Sequence, residues 1–213
     1  MIAVGLAVSE RSEVCTMRLF IAIDLGEEEV REAVSSQLAK LKPLAPNAKW
    51  ARVEGMHVTL AFLGYIDDVR VPQVKAIAEE VASRHGPLSF SVEGIGGFGS
   101  STRPRVLWLG LTGDTAALAA LKSDLEERLA PLGYEPEKRP FKPHLTLARA
   151  RMPSGDPALA RCIRSCRTSS FGRARVDRLI VFRSDLSPKG ARYTALYQPR
   201  LSGNAERFSP VQK

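Results

Sequence analysis

Two tripeptides in this chain carry the same polar side chains at the same spacing: His57-Val58-Thr59 and His144-Leu145-Thr146. Leucine follows each, so both read His-x-Thr-Leu within an apolar run. In a strand alternate side chains share a face. His57 and Thr59 therefore point one way, as do His144 and Thr146, while the apolar residues between them pack inward. Two imidazoles with ordinary pKa values near about 6.5 can share one proton at neutral pH, one serving as acid and the other as base. That pairing suits the opening of a cyclic phosphodiester. A base activates water, and an acid protonates the departing ribose oxygen on the opposite side of phosphorus. Hydroxyls of Thr59 and Thr146 can hydrogen-bond the non-bridging oxygens and fix the in-line geometry. A guanidinium would stabilise the extra charge of the transition state.

One such tripeptide is most simply a core histidine. Two copies holding two of only three histidines point to function. The third, His85, precedes Gly86-Pro87 near a helix end and reads as a surface residue. Neither motif offers His-x-x-x-His, His-x-Glu or a nearby cysteine pair, so no metal is expected, and no cofactor. Cys15, Cys162 and Cys166 form an odd, sparse set that fits a reducing, cytoplasmic compartment rather than a disulfide framework.

Laying the chain on itself with an offset of 87 residues brings His57–Ala61 onto His144–Ala148. The same offset puts Arg18-Leu19-Phe20 on Arg105-Val106-Leu107 and Glu27–Leu44 on Asp114–Pro131. It also sets Val71–Arg84 over Pro157–Phe171, both helix-like, and Leu88–Phe98 over Arg175–Asp185, both strand-like, with no gap. The pattern predicts two β-α-β-α-β halves related by a pseudo-two-fold axis. Leu19–Ile23 reads as a buried strand. Val30, Val34, Leu38 and Leu41 mark one amphipathic helix, and Leu118, Leu121, Leu125 and Leu129 a second with Asp114 as N-cap and Gly133 at its end. Gly94–Pro104 reads as a turn-rich joint between the halves.

The 213 residues are 44% hydrophobic and 25% charged, enough to bury a sizeable core. No apolar run approaches the roughly 20 residues that span a bilayer, and Met1–Val8 makes a poor signal peptide. The predicted organisation is a non-essential extension over 1–16, one bilobal unit over 17–200, and a flexible tail from about 201 to 213. Net charge is +8, concentrated in residues 138–200, where 15 basic residues face three acidic ones. This stretch suits a polyanion. A basic surface alone would also fit a non-catalytic RNA-binding protein, but that reading makes no use of the paired histidines.

At these residues the sequence resembles the 2H phosphoesterases, and more closely the bacterial and archaeal RNA 2′,3′-cyclic phosphodiesterases once described as 2′-5′ RNA ligases. The likeness runs from Met17 to about Arg200. It rests on Arg18–Ile23, on His57–Gly64 (His-Val-Thr-Leu-Ala-Phe-Leu-Gly), on Arg103–Gly110 (Arg-Pro-Arg-Val-Leu-Trp-Leu-Gly), on Pro140–Arg149 (Pro-Phe-Lys-Pro-His-Leu-Thr-Leu-Ala-Arg), and on Gly190–Tyr193. The resemblance implies an α+β, bilobal 2H fold with antiparallel sheets lining a central cleft, helices outside, and no metal. It implies conversion of RNA 2′,3′-cyclic phosphate ends to 2′-phosphates. Ends derived from tRNA are candidate substrates, and a polar surface and open groove set the expectation of a monomer with no obligate protein partner. His57 would be the proton donor to the leaving 3′ oxygen and His144 the acceptor from water. Thr59 and Thr146 would bind phosphate, and Arg149 matches the family's phosphate-contacting arginine. Strict alternation would aim Arg149 away from His144; a bulge or the strand's end would bring it back. Phe62 holds the equivalent place in the first copy, so the site is chemically asymmetric. Its ring is expected either to pack in the core, the favoured reading, or to contact a base. Reverse ligation of RNA halves and hydrolysis of small cyclic nucleotides use the same site.

Overall fold

The computed structural model describes residues 15–166, 169–188 and 190–203. Among these described residues nine strands and four α-helices fall in the order β1 (Thr16–Ile23), α1 (Glu28–Leu41), β2 (Lys49–Trp50), β3 (Val58–Asp67), α2 (Val71–Arg84), β4 (Leu88–Gly99), β5 (Pro104–Gly113), α3 (Thr115–Leu129), β6 (His144–Arg149), α4 (Pro157–Ser165), β7 (Ser170–Val176), β8 (Ile180–Ser187) and β9 (Gly190–Tyr197). Every strand pairing is antiparallel. They form a first sheet, β3-β1-β8-β9, and a second, β2-β6-β5-β4-β7. The architecture is α+β, two antiparallel sheets with four α-helices.

The helix stripes bury as their periodicity requires. Val30, Val34, Leu38 and Leu41 of α1 are buried, as are Leu118, Leu121, Leu125 and Leu129 of α3. Alternation in β1 buries Leu19, Ile21 and Ile23 completely. Asp114 stands at the N-cap of α3, but its carboxylate accepts from the Ser89 backbone N–H rather than capping its own helix.

The halves exchange their last strands. The final strand of the first half, β4, joins the second sheet beside β5, and β8 crosses back to pair with β1. This corrects two expectations. The window Arg175–Asp185 is no single strand, because the chain must leave one sheet at Val176 and enter the other at Ile180. Gly94–Gly99 is no flexible joint either, since it continues β4: Gly94, at φ +71°, absorbs a bulge, and Gly96 leaves room for the Trp108 indole. The helix expected over Pro157–Phe171 stops at Ser165, freeing Ser170 to start β7.

The gapless offset of 87 also fails at the first strand of each half. Thr59 pairs with Ala22, and its counterpart Thr146 pairs with Trp108. The two first strands thus match at an offset of 86, and Phe20 corresponds to Val106 rather than Leu107. Leu107 is fully buried like Ile21, so the face each residue occupies dictates the shift.

His85 is a further correction. It is only 5% exposed and lies 3.2 Å from the Asp124 carboxylate, which also binds Arg128. Of the expected tail, Ser202 and Gly203 donate backbone hydrogen bonds to Ala82 and His85, while residues 204–213 lie outside the described residues. Residues 1–14 of the expected extension do so as well. Among the described residues no helix is long and apolar enough to cross a membrane.

Candidate active site

His57 lies one residue ahead of β3 and His144 opens β6, so each histidine sits at the entrance of the strand carrying its threonine. The two rings are held alike. The Nδ1 atom of His57 bonds the Gly55 carbonyl at 2.9 Å, and that of His144 bonds the Lys142 carbonyl at 2.8 Å. A carbonyl oxygen only accepts, so Nδ1 is the donor in both rings and Nε2 is left to take or give a proton.

Alternation holds through each threonine and then breaks at the same place. Ala22 pairs with Thr59 but Ile21 with Ala61, so Leu60 is an extra residue; Trp108 pairs with Thr146 but Leu107 with Ala148, so Leu147 is its counterpart. Both bulges leave two successive side chains buried and turn the next one out. On β6 that residue is Arg149, which is exposed and returned to the face of Thr146, as the bulge argument required. On β3 it is Phe62, which is 47% exposed. The expectation that Phe62 packs in the core is overturned: the bulge reverses the face that alternation would have given it.

His57, His144 and Arg149 lie close enough to act on one another electrostatically. β3 and β6 are in contact, and the positive charges of Arg149 and His144 both act on His57. Burial is the chief cause holding the His57 pKa below 6.5; those two charges add to it, and the Gly55 hydrogen bond opposes it. His144 is also lowered, first by burial and then by Arg149 and Lys142, against the Lys142 carbonyl bond and the Glu137 charge. Among the described residues the hydroxyls of Thr59 and Thr146 have no hydrogen-bond partner, and the Arg149 guanidinium has no carboxylate. An opening of about 390 Å³ between the β4–β5 turn and α4 contains none of these residues.

Sequence reasoning missed the walls around the histidines. Phe20 lies 4.7 Å from the His57 ring, and Tyr193 meets that ring edge-on at 5.1 Å, with Phe182 behind. Phe98 meets His144 edge-on at 4.8 Å. Trp108, beside both, holds the Lys142 ammonium 4.3 Å from its ring centre, and its buried indole N–H has no partner among the described residues. Lys49, directly across from Arg149 on β2, adds another exposed cation. Lys142 stands two residues before His144 and could have been noticed; Tyr193 reaches His57 from 136 positions away, with no local sign.

Two strand-borne His/Thr pairs facing one cleft, each closed by a strand of the other half, constitute the 2H phosphoesterase fold. Comparison with known proteins is more specific. The model of the 2′-5′ RNA ligase superfamily matches residues 28–188, and the chain belongs to that family. It is 33% identical over 180 residues to a protein of Archaeoglobus fulgidus named RNA 2′,3′-cyclic phosphodiesterase, covering 84% of this chain and 98% of the relative. A Thermotoga maritima protein of the same name is 34% identical over 199 residues, covering 91% and 100%. Among solved structures, TT0787 of Thermus thermophilus superposes with a TM-score of 0.73 at 29% identity, over 88% of this chain and 99% of that one. E. coli LigT complexed with 3′-AMP gives the same TM-score and coverage at 27% identity.

Proposed function

We propose that this protein hydrolyses RNA 2′,3′-cyclic phosphate ends to 2′-phosphates by general acid–base catalysis, with His57 and His144 as the working pair and no metal. Water attacks phosphorus while His144 Nε2 removes its proton. The P–O3′ bond breaks opposite, and His57 Nε2 protonates the departing oxygen. The phosphate stays on the 2′ oxygen. Thr59 and Thr146 hydrogen-bond the non-bridging oxygens, Arg149 neutralises the added charge, and Phe62 offers its ring to the base. One observation carries the reading: two rings with Nδ1 committed to carbonyls lie within electrostatic reach of each other and of Arg149, which has no carboxylate partner among the described residues. The names of the relatives support the substrate, and the basic stretch supports a polyanion.

A second reading follows from the superfamily's name. If a 5′-hydroxyl replaces water, the same in-line attack leaves a 2′-5′ linkage and a free 3′-hydroxyl.

The deciding experiment offers a short RNA 2′,3′-cyclic phosphate with and without EDTA and locates the phosphate in the product. A 2′-phosphate formed at equal rates in both is expected. Full turnover by His144→Ala, or an EDTA-sensitive reaction, would sink the mechanism; adding a 5′-hydroxyl RNA separates ligation from hydrolysis.

A further inference from the structure

Strand β3 carries a second bulge beyond the one that exposes Phe62. Phe20 pairs with Phe62 but Leu19 with Gly64, so Leu63 is extra, and Gly64 adopts φ +71° to accommodate it. Arg18, Phe20 and Ala22 alternate along β1 and share its cleft face. Their partners across the pair are Tyr65, Phe62 and Thr59, so the two bulges align those three side chains on the face that His57 enters. Strict alternation would have put Ala61 and Leu63 there instead of Phe62.

The resulting row has the chemistry of a single-stranded nucleic-acid track. Phe62 is 47% exposed and Tyr65 is 67% exposed. They stand one row apart, about 7 Å along the strand. The Arg18 guanidinium lies 4.6 Å from the Phe62 ring centre and donates to the buried Ser184 hydroxyl, with no carboxylate pairing it among the described residues. β3 is the edge of its sheet, so nothing in the sheet covers the outer side of this row.

We propose that Phe62, Arg18 and Tyr65 bind the last two nucleotides of an RNA chain, and so favour a chain end over a mononucleotide. The terminal base stacks on the Phe62 face that the guanidinium leaves open. The preceding base stacks on Tyr65, and Arg18 contacts the phosphodiester between them. The proposal rests on the cyclic phosphodiesterase reading and adds Tyr65 as its determinant of substrate length.

The test measures kcat/KM on a nucleoside 2′,3′-cyclic phosphate and on a dinucleotide and trinucleotide ending in that group. The wild type should prefer the dinucleotide to the mononucleotide by about 10-fold and gain little from the third nucleotide. Tyr65→Ala should bring that ratio close to one, and Tyr65→Phe should restore it. Val69→Ala, at a 76% exposed site past the end of β3, should keep the wild-type ratio. A wild type indifferent to the second nucleotide, or a Tyr65→Ala protein that keeps the preference, overturns the platform while leaving the hydrolase intact. Failure of the wild type on all three substrates overturns the hydrolase reading, and the platform with it.

Discussion

The cleft faces of β3-β1-β8 and β6-β5-β4 use one backbone plan with different side chains. Both hold a histidine by a carbonyl two residues earlier, and both bulge at the leucine that follows the threonine. In the first sheet the row past the bulge reads Phe62, Phe20, Phe182; in the second it reads Arg149, Val106, Phe98. Beside the threonines, Ala22 and Ile180 stand where the other sheet has Trp108 and Gly96. The duplicated backbone thus fixes where a side chain emerges, and the differing residues decide what each wall does. The first wall gathers Phe20, Phe62 and Phe182, and the second adds the cations Arg149, Lys49 and Lys142 to Phe98 and Trp108.

Perturbing matched positions tests this division of labour. The largest effects should come from His57→Ala and His144→Ala, each lowering kcat by between about 10² and 10⁴-fold. A large loss from one and almost none from the other would mean that only one wall does proton chemistry. Next come the two re-aimed residues. Arg149→Ala should cost about 10²-fold in kcat, whereas Phe62→Ala should raise KM about 10-fold with little change in kcat. Equal kinetic signatures would erase the contrast between cationic and aromatic walls. Thr59→Val and Thr146→Val should each cost roughly 10-fold, the worth of a hydrogen bond to a charged oxygen.

The smallest effect is on pH. Both histidine pKa values lie below 6.5 in the free protein, so the species with one ring protonated and one neutral peaks below that value. The bell in kcat/KM should therefore be centred on the acid side of pH 6.5. A bound phosphate anion favours the protonated rings and raises both values, so the kcat bell should lie at higher pH. A kcat/KM maximum well above 6.5 would contradict the burial and cation effects in the cleft.

What the sequence revealed, and what it hid, follows from the range of the forces involved. The stripes of α1 and α3 were readable because helical periodicity is local. The paired motifs were readable because they recur. Phe62 was misplaced because its face depends on one inserted residue in the pairing with β1, which no window of β3 discloses. His85 was misread because its carboxylate partner is 39 positions away on another helix. The slip from 87 to 86 in the internal repeat was invisible for the same reason: register is a property of two strands together.

The exchange of terminal strands has a consequence in time. Leu19 faces Arg183 across the β1–β8 pair, so the aromatic wall is complete only when segments 164 residues apart have met. Closing so long a loop is entropically slow, and it rewards the chain only once the strands register. During synthesis the first histidine motif is made early but must wait for β8 to emerge from the ribosome before Phe182 can settle behind it. Until those two strands pair, the His57 ring lacks the Phe182 ring behind it.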